Sequence, residues 1–308
     1  MSEAIKRRGF LKKFGGVTAA TAVTASGVHA ASKVIDDGGQ GMSDAVAEFF
    51  QGHYRKMTPE EVDATIARLE RQAKRKYNKD INIDTTPALP NVLFGYALNI
   101  SRCKGYRKCV DACVAENNQN RNSQIQFIRV LEMNNGSMDL EKSDHYYNPE
   151  TVPQEGKFYL PVQCMQCENP PCVKACPVKA TWKEEDGIVV IDYNWCIGCR
   201  YCMTACPYWA RHFNWNEPQI PQDEVNPVTH YLGNRPRSKG VMEKCTFCIQ
   251  RTRKEKLPAC LEACPTGARI FGNLLDPDSE IRYVLKNKNV FRLKEDLGTE
   301  PKFWYYTD

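Results

Sequence analysis

Fifteen cysteines lie between Cys103 and Cys264 of this 308-residue chain, and none lies outside that span. They fall into four tight groups. The first is Cys103, Cys109 and Cys113 in "CKGYRKCVDAC". The second is Cys164, Cys167, Cys172 and Cys176 in "CMQCENPPCVKACP". The third is Cys196, Cys199, Cys202 and Cys206 in "CIGCRYCMTACP". The fourth is Cys245, Cys248, Cys260 and Cys264 in "CTFCIQRTRKEKLPACLEACP". An odd count rules out complete internal disulfide pairing. One phrase repeated four times points to metal rather than to scattered cross-links.

The third group matches the run C-x2-C-x2-C-x3-C-P at every position, the spacing of bacterial iron–sulfur ferredoxins. In that arrangement three cysteines hold one cluster and the fourth reaches its neighbour. A loop of two intervening residues wraps a cuboidal cluster, and its backbone N–H groups can point at the sulfurs. The proline after the last cysteine ends the local helix and turns the chain away. Disulfides would suit an exported protein but fit four ferredoxin-like spacings poorly. Zinc ribbons use paired C-x2-C motifs without the added x2-C-x3-C-P tail. Covalent haem needs a histidine after C-x-x-C, whereas Glu168, Arg200, Met203 and Ile249 occupy such places here.

The first group is short by one thiol. Tyr106 stands where its second cysteine is expected. Three states follow: a three-iron cluster on Cys103, Cys109 and Cys264; a four-iron cluster completed by oxygen, from Tyr106 itself among the candidates; or an empty site with Tyr106 filling space.

At the N-terminus, "KRRGFLKKFGG" sets two arginines ahead of Phe10, Leu11 and Lys12. The mild apolar stretch "VTAATAVTASGVHA" follows, with small residues at Val28, Ala30 and Ala31. Residues 1–31 read as a twin-arginine signal peptide, a route that exports folded cargo. Lys6, Arg7, Arg8, Lys12 and Lys13 face only Glu3 there, so the net charge of +5 is mostly local and the rest is near neutral. A nucleic-acid partner gains little support. No later stretch reads as a transmembrane helix, so membrane attachment is expected through a partner.

Residues 32–90 read as a linker and a helical extension. "MTPEEVDATIARLERQAKRKY" is a helix with Thr58 and Glu61 as a capping box and Pro59 in its first turn. Its apolar stripe, Val62, Ile66, Leu69 and Ala73, suits an ordinary packed helix or a docking arm. "SDAVAEFFQGHY" reads as a second short helix. Beyond it, "VLFGYALN", "KFYLPVQC" and "GARIF" read as strands, and "ATWKEEDGIVVIDYNWC" as a hairpin turning at Asp186-Gly187. Residues 216–238 read as Pro-rich loop, and "EPKFWYYTD" as a packed terminus or a docking tail.

From about 92 to 273 the chain resembles the four-cluster ferredoxin-type subunits of the dimethyl sulfoxide, polysulfide and tetrathionate reductase family. "ACVAENN", "CMQCENPPCVKACP", "CIGCRYCMTACPYWARHFNW" and "GVMEKCTFC" carry the resemblance. It extends to the iron–sulfur part of alternative complex III and to the exported ferredoxin subunit of the membrane complex linked to sulfite reduction. The resemblance implies an α+β fold of two pseudo-symmetric, bacterial dicluster halves with long loops and an N-terminal helical extension. The four-motif domain would span 91–275, with 163–207 as the inner half and 91–162 plus 208–275 as the outer, followed by a tail at 276–308. It implies one [4Fe–4S] cluster on Cys164, Cys167, Cys172 and Cys206, and one on Cys196, Cys199, Cys202 and Cys176. A third falls on Cys245, Cys248, Cys260 and Cys113. The fourth site falls on Cys103, Cys109 and Cys264, with Tyr106 at the missing-ligand position, and a [3Fe–4S] cluster is the leading of the three states there.

The expected role is an electron-transfer subunit on the periplasmic side of the cytoplasmic membrane. It would link a polytopic, quinone-reactive membrane subunit to a periplasmic molybdopterin or multihaem cytochrome subunit. The three-iron site would suit the end of the wire nearest a quinol. An enzyme using the open cluster, or a purely structural subunit, competes with this reading. No nucleophile–base pair or phosphate loop is legible, and the five histidines are scattered.

Overall fold

The computed structural model describes residues 57–308. The signal-peptide reading and the short helix read at "SDAVAEFFQGHY" lie outside the described residues. Thr58 begins helix α1, Pro59–Tyr77, with the expected capping box. Its Oγ1 accepts from the Glu61 N–H at 3.4 Å, and its own N–H donates to Glu61 Oε2 at 2.9 Å. Such a cap contributes about 1 kcal/mol. Asn78, in the left-handed region, ends the helix. Ala73 and Tyr77 are buried, and Ile66 and Leu69 pack with them against Ile81, Ile83, Ile220, Val225 and Tyr231. Ile66, Leu69 and Ala73 of the stripe are thus covered by the chain itself, while Val62 lies outside this cluster.

Strand β1, Asn82–Asp84, pairs in parallel with β8, Val228–His230. The 216–238 segment is therefore not all loop, as read from its prolines. A three-residue strand is too short to leave a periodic signal among them.

The central sheet has the order β10-β2-β12-β11. Strand β2, Phe94–Asn99, is buried at all six positions, as a strand covered on both faces must be. β10, Arg269–Asn273, lies antiparallel to it. β12, Phe303–Tyr306, lies parallel on its other side. β11, Val290–Phe291, closes the edge. Tyr96 of β2 stacks on Phe303 with ring centroids 4.9 Å apart. The aromatic tail is thus a packed terminus, with Phe303, Tyr305 and Tyr306 buried. Helix α7, Glu280–Asn287, buries Ile281 and Val284 against Ala97, Ile270 and Tyr306.

Three antiparallel pairs complete the strands. β3, Arg129–Asn134, pairs with β4, Lys157–Val162. β5, Thr181–Lys183, pairs with β6, Val189–Ile191, about the expected turn, where Gly187 has φ 78°. β7, His212–Phe213, pairs with β9, Met242–Glu243. Short helices carry Cys109, Cys113, Cys172, Cys202 and Cys260: α2, Lys108–Glu116; α3, Pro171–Lys174; α4, Tyr201–Thr204; and α6, Ala259–Glu262. α5, Ile249–Thr252, follows Cys248. Helix α2 packs on α6, and α3 on α4. Mixed helices and strands make the fold α+β. Among the described residues no helix is long and apolar enough to cross a membrane.

Candidate metal centres

Each cysteine group follows a strand: β2, β4, β6 and β9 lead into Cys103, Cys164, Cys196 and Cys245. Two residues past each of these cysteines the backbone has positive φ: Gly105 79°, Gln166 44°, Gly198 73° and Phe247 53°. The turn aims N–H groups back at sulfur. Gly105 N–H donates to Cys103 and Gly198 N–H to Cys196. Phe247 N–H donates to Cys245 Sγ at 3.4 Å. The next position holds Cys167, Cys199, Cys248 and, in the first group, Tyr106. The loop around Tyr106 thus keeps the fold of the complete ones.

The later cysteines come in pairs four residues apart on or just past short helices: Cys109 and Cys113, Cys172 and Cys176, Cys202 and Cys206, Cys260 and Cys264. Four residues of helix advance about 6 Å. That step carries the second thiol of each pair away from the first and into a different neighbourhood.

The electrostatics of the thiols identify those neighbourhoods. Cys113 is pushed well above the ordinary thiol range by burial, then by Cys245, Cys248 and Cys260. Cys103 is pushed up to about 11 by burial, with Cys109 and Cys264 adding to it. Cys167 reaches about 12 by burial, with Cys164, Cys172 and Cys206 beside it. Burial raises Cys196 too, with Cys176 and Cys199 adding to it, and takes Cys202 to about 11, with Cys196 and Cys176 among its neighbours. Four sets result, each drawn from two sequence groups.

The sets also sense one another in sequence. Cys172 raises Cys202, Cys164 raises Cys245, and Cys109 raises Cys260. These through-space influences run from set to set in the order Cys196, Cys167, Cys113 and Cys103. The Cys196 set is at one end and the Cys103 set at the other.

Polar side chains complete the sulfur environment, and most were not read from the sequence. Gln119 Nε2 donates to Cys113 Sγ at 3.2 Å, and Asn117 Nδ2 at 3.5 Å. Tyr96 OH lies 3.3 Å from Cys260 Sγ. Arg211 Nη2 donates to Cys172 Sγ at 3.0 Å, and Arg269 Nη2 to Cys109 Sγ at 3.3 Å. Burial raises Cys264, but the Thr266 hydroxyl, the Thr266 and Ala268 N–H groups and Arg269 outweigh it and set this thiol below its ordinary value. The arginines had a legible signal. "CPYWARHF" at 206–213 and "CPTGARIF" at 264–271 share C-P-x-x-A-R-x-F.

The donor set fits iron–sulfur clusters. All fifteen cysteines are free thiols. Among the described residues, no group of three or more His, Cys, Asp or Glu converges tightly enough for a single ion. Four sulfurs at about 2.3 Å from one zinc would lie within about 4 Å of each other, whereas a cuboidal cluster holds its ligands farther apart. Cys103, Cys109, Cys264, Thr266 and Arg269 line a cavity beside Tyr106. Tyr106 also lines it and is 38% exposed.

Comparison with known proteins gives the class first. A family profile described as "4Fe-4S dicluster domain" matches residues 156–223 and 228–274, so the chain carries a 4Fe–4S dicluster domain. The iron–sulfur cluster-binding subunit of menaquinone reductase from Nitratidesulfovibrio vulgaris is 39% identical, covering 70% of this chain and 88% of its own length. A selenate reductase subunit from Mesobacillus selenatarsenatis is 38% identical over 80% of each chain. A tetrathionate reductase subunit from Salmonella typhimurium is 34% identical over 70% of this chain and 73% of its own. The chain belongs to this family of iron–sulfur subunits of reductase complexes.

Proposed function

We propose that this protein relays single electrons along four clusters held by its fifteen cysteines. In the same order, Cys176, Cys196, Cys199 and Cys202 hold one [4Fe–4S] cluster, and Cys164, Cys167, Cys172 and Cys206 the next. Cys113, Cys245, Cys248 and Cys260 hold the third. Cys103, Cys109 and Cys264 hold a [3Fe–4S] cluster at the end. The observation that carries this reading is the succession of thiol sets, each mixing cysteines from two groups. When bound, each cluster supplies a centre that gains or loses one electron. The chain's own part is to hold the sulfurs, direct N–H groups at them and bury most of them from water. These groups offset the negative charge that a reduced cluster carries.

The three-iron assignment draws support from Tyr106. Its loop keeps the binding turn, and the residue itself stays partly exposed. Pairing of α2 with α6 and of α3 with α4 supports two ferredoxin-like halves, as does the repeated C-P-x-x-A-R-x-F phrase.

The proposed setting is the periplasmic face of the cytoplasmic membrane, after twin-arginine export. There the protein would be held by a polytopic quinone-reactive subunit and pass electrons to or from a molybdopterin or multihaem cytochrome subunit. The twin arginines and the reductase names of the relatives support this. The test is stopped-flow mixing of the anaerobic complex with a menaquinol analogue. The relay predicts one-electron reduction of the clusters faster than turnover. Clusters that stay oxidised throughout turnover would end it.

A further inference from the structure

Arg211 and Arg269 occupy the same place in the repeated phrase, five residues past Cys206 and Cys264. They are 2% and 5% exposed. Among the described residues neither forms an ion pair with a carboxylate, yet a buried lone guanidinium is strongly disfavoured. What surrounds them is sulfur. Arg269 Nη2 donates to Cys109 Sγ at 3.3 Å, while Nη1 lies 4.0 Å from Cys260 Sγ and also donates to Gln163 Oε1 at 3.0 Å. Cys109 and Cys260 belong to different sets. Arg211 Nη2 donates to Cys172 Sγ at 3.0 Å and to Thr181 Oγ1 at 2.9 Å. Its Nε and Nη1 are buried with no hydrogen-bond partner in the protein. Unmet buried donors cost about 1–3 kcal/mol each. Two of them on one side chain among thiols call for an acceptor there.

Resting on the cluster reading above, we propose that Arg269 is the shared counter-charge of the clusters on the Cys103 and Cys113 sets and raises the reduction potentials of both, and that Arg211 raises that of the cluster on the Cys167 set. Reduction adds one electron to a cluster, with no bond made or broken and no proton required. A fixed positive charge in a dry interior favours that added negative charge strongly. These are positioning residues, since they act through the clusters.

The test is anaerobic potentiometric titration, followed by electron paramagnetic resonance with iron and sulfide counts, using dithionite and mediators. The wild type comes first. Iron too low for clusters there would overturn the cluster reading itself, separately from this proposal. R269Q is expected to lower two potentials, those of the three-iron centre and one cubane, and to leave the other two in place. R211Q should lower the potential of the cubane on the Cys167 set and leave the Cys103-set and Cys113-set potentials in place. An iron-replete R269Q with unmoved potentials, one moved potential or all four moved equally would overturn the proposal. If R269Q does not load iron, R269K decides. Lysine keeps the charge, so both potentials should stay close to the wild-type values, and a fall of both despite the retained charge would overturn the counter-charge role.

Discussion

A Cβ on Gly198 would stand 2.2 Å from the Gly240 carbonyl oxygen, and Gly198 holds φ at 73°. The loop can close over Cys196 only with glycine at this position. Gly198→Ala must displace the stretch of chain at Gly240 or lose the N–H donated to Cys196. Strain of this kind costs about 1–3 kcal/mol. The expected outcome is a lower anaerobic melting temperature and a deficit of iron from one cluster. Gly240→Ala is the control. It shares a positive φ of 82° but meets nothing within 4 Å, so its cost should stay near the roughly 1–2 kcal/mol of left-handed backbone alone, with iron retained.

His230 gives a pH dependence. Its Nε2 lies 2.9 Å from Thr86 O, and its Nδ1 accepts from the Leu232 N–H at 3.1 Å. The neutral ring with its proton on Nε2 satisfies both. A second proton would set Nδ1 against an N–H. Burial chiefly holds the ring down to about 4; the Thr86 bond opposes this, Arg253 and Lys254 add to it, and Asp84 offsets them in part. His212 is likewise held to about 4, first by burial and then by Arg129. Between pH 6.5 and 4 the unfolded chain therefore binds more protons. Stability is intact above pH 6.5 and falls as pH drops through that window, by about 3 kcal/mol for each group. His230→Asn should reduce the slope of unfolding free energy against pH, with His145 and His212 still contributing; an unchanged slope would remove His230 from the account.

Arg253 ties the 181–191 hairpin to α5. Its Nε donates to Asp186 Oδ2 at 2.9 Å, its Nη2 pairs with Glu184, and its Nη1 donates to Thr86 O at 3.2 Å. Asp186 is fully buried. Arg253→Met strands that carboxylate, and breaking a buried pair costs about 3–5 kcal/mol. Adding Asp186→Asn removes the stranded charge and should recover much of the loss, since the remaining Oδ1 still accepts from the Ile188 N–H. Urea unfolding under argon measures both; a double variant no better than the single would contradict it.

Iron should be part of the fold. Cys113, Cys167, Cys245 and Cys260 are members of the main core beside Tyr96, Phe247 and Phe303. Their thiols, raised by burial, become ligands only on losing protons, so metal binding and folding are linked. A chelator with reductant is expected to abolish cooperative unfolding and near-ultraviolet dichroism together. A sharp transition that survives iron loss would contradict the linkage.

The cysteine groups, the capped α1 and the Asp186–Gly187 hairpin were legible because each follows from residue type at fixed spacing. β8 was not. Its pairing to β1 is a contact between segments more than 140 residues apart, and local pattern carries no trace of it. Arg211 and Arg269 were hidden differently. Each is an ordinary arginine until both copies of C-P-x-x-A-R-x-F are set side by side. The "EPKFWYYTD" tail sat outside the motifs, yet Phe303 and Tyr305 fill the centre of the sheet because aromatic rings find their burial wherever β2 offers a face.

The most direct test of the account is electron paramagnetic resonance of the anaerobic wild type, oxidised and then mildly reduced, with an iron count and Tyr106→Cys alongside. The account predicts iron for three cubanes and one three-iron cluster, a near-isotropic oxidised signal lost on mild reduction, and conversion of that signal to a four-iron type in Tyr106→Cys. Iron for three cubanes with no such signal, or four cubanes in the wild type, would contradict it.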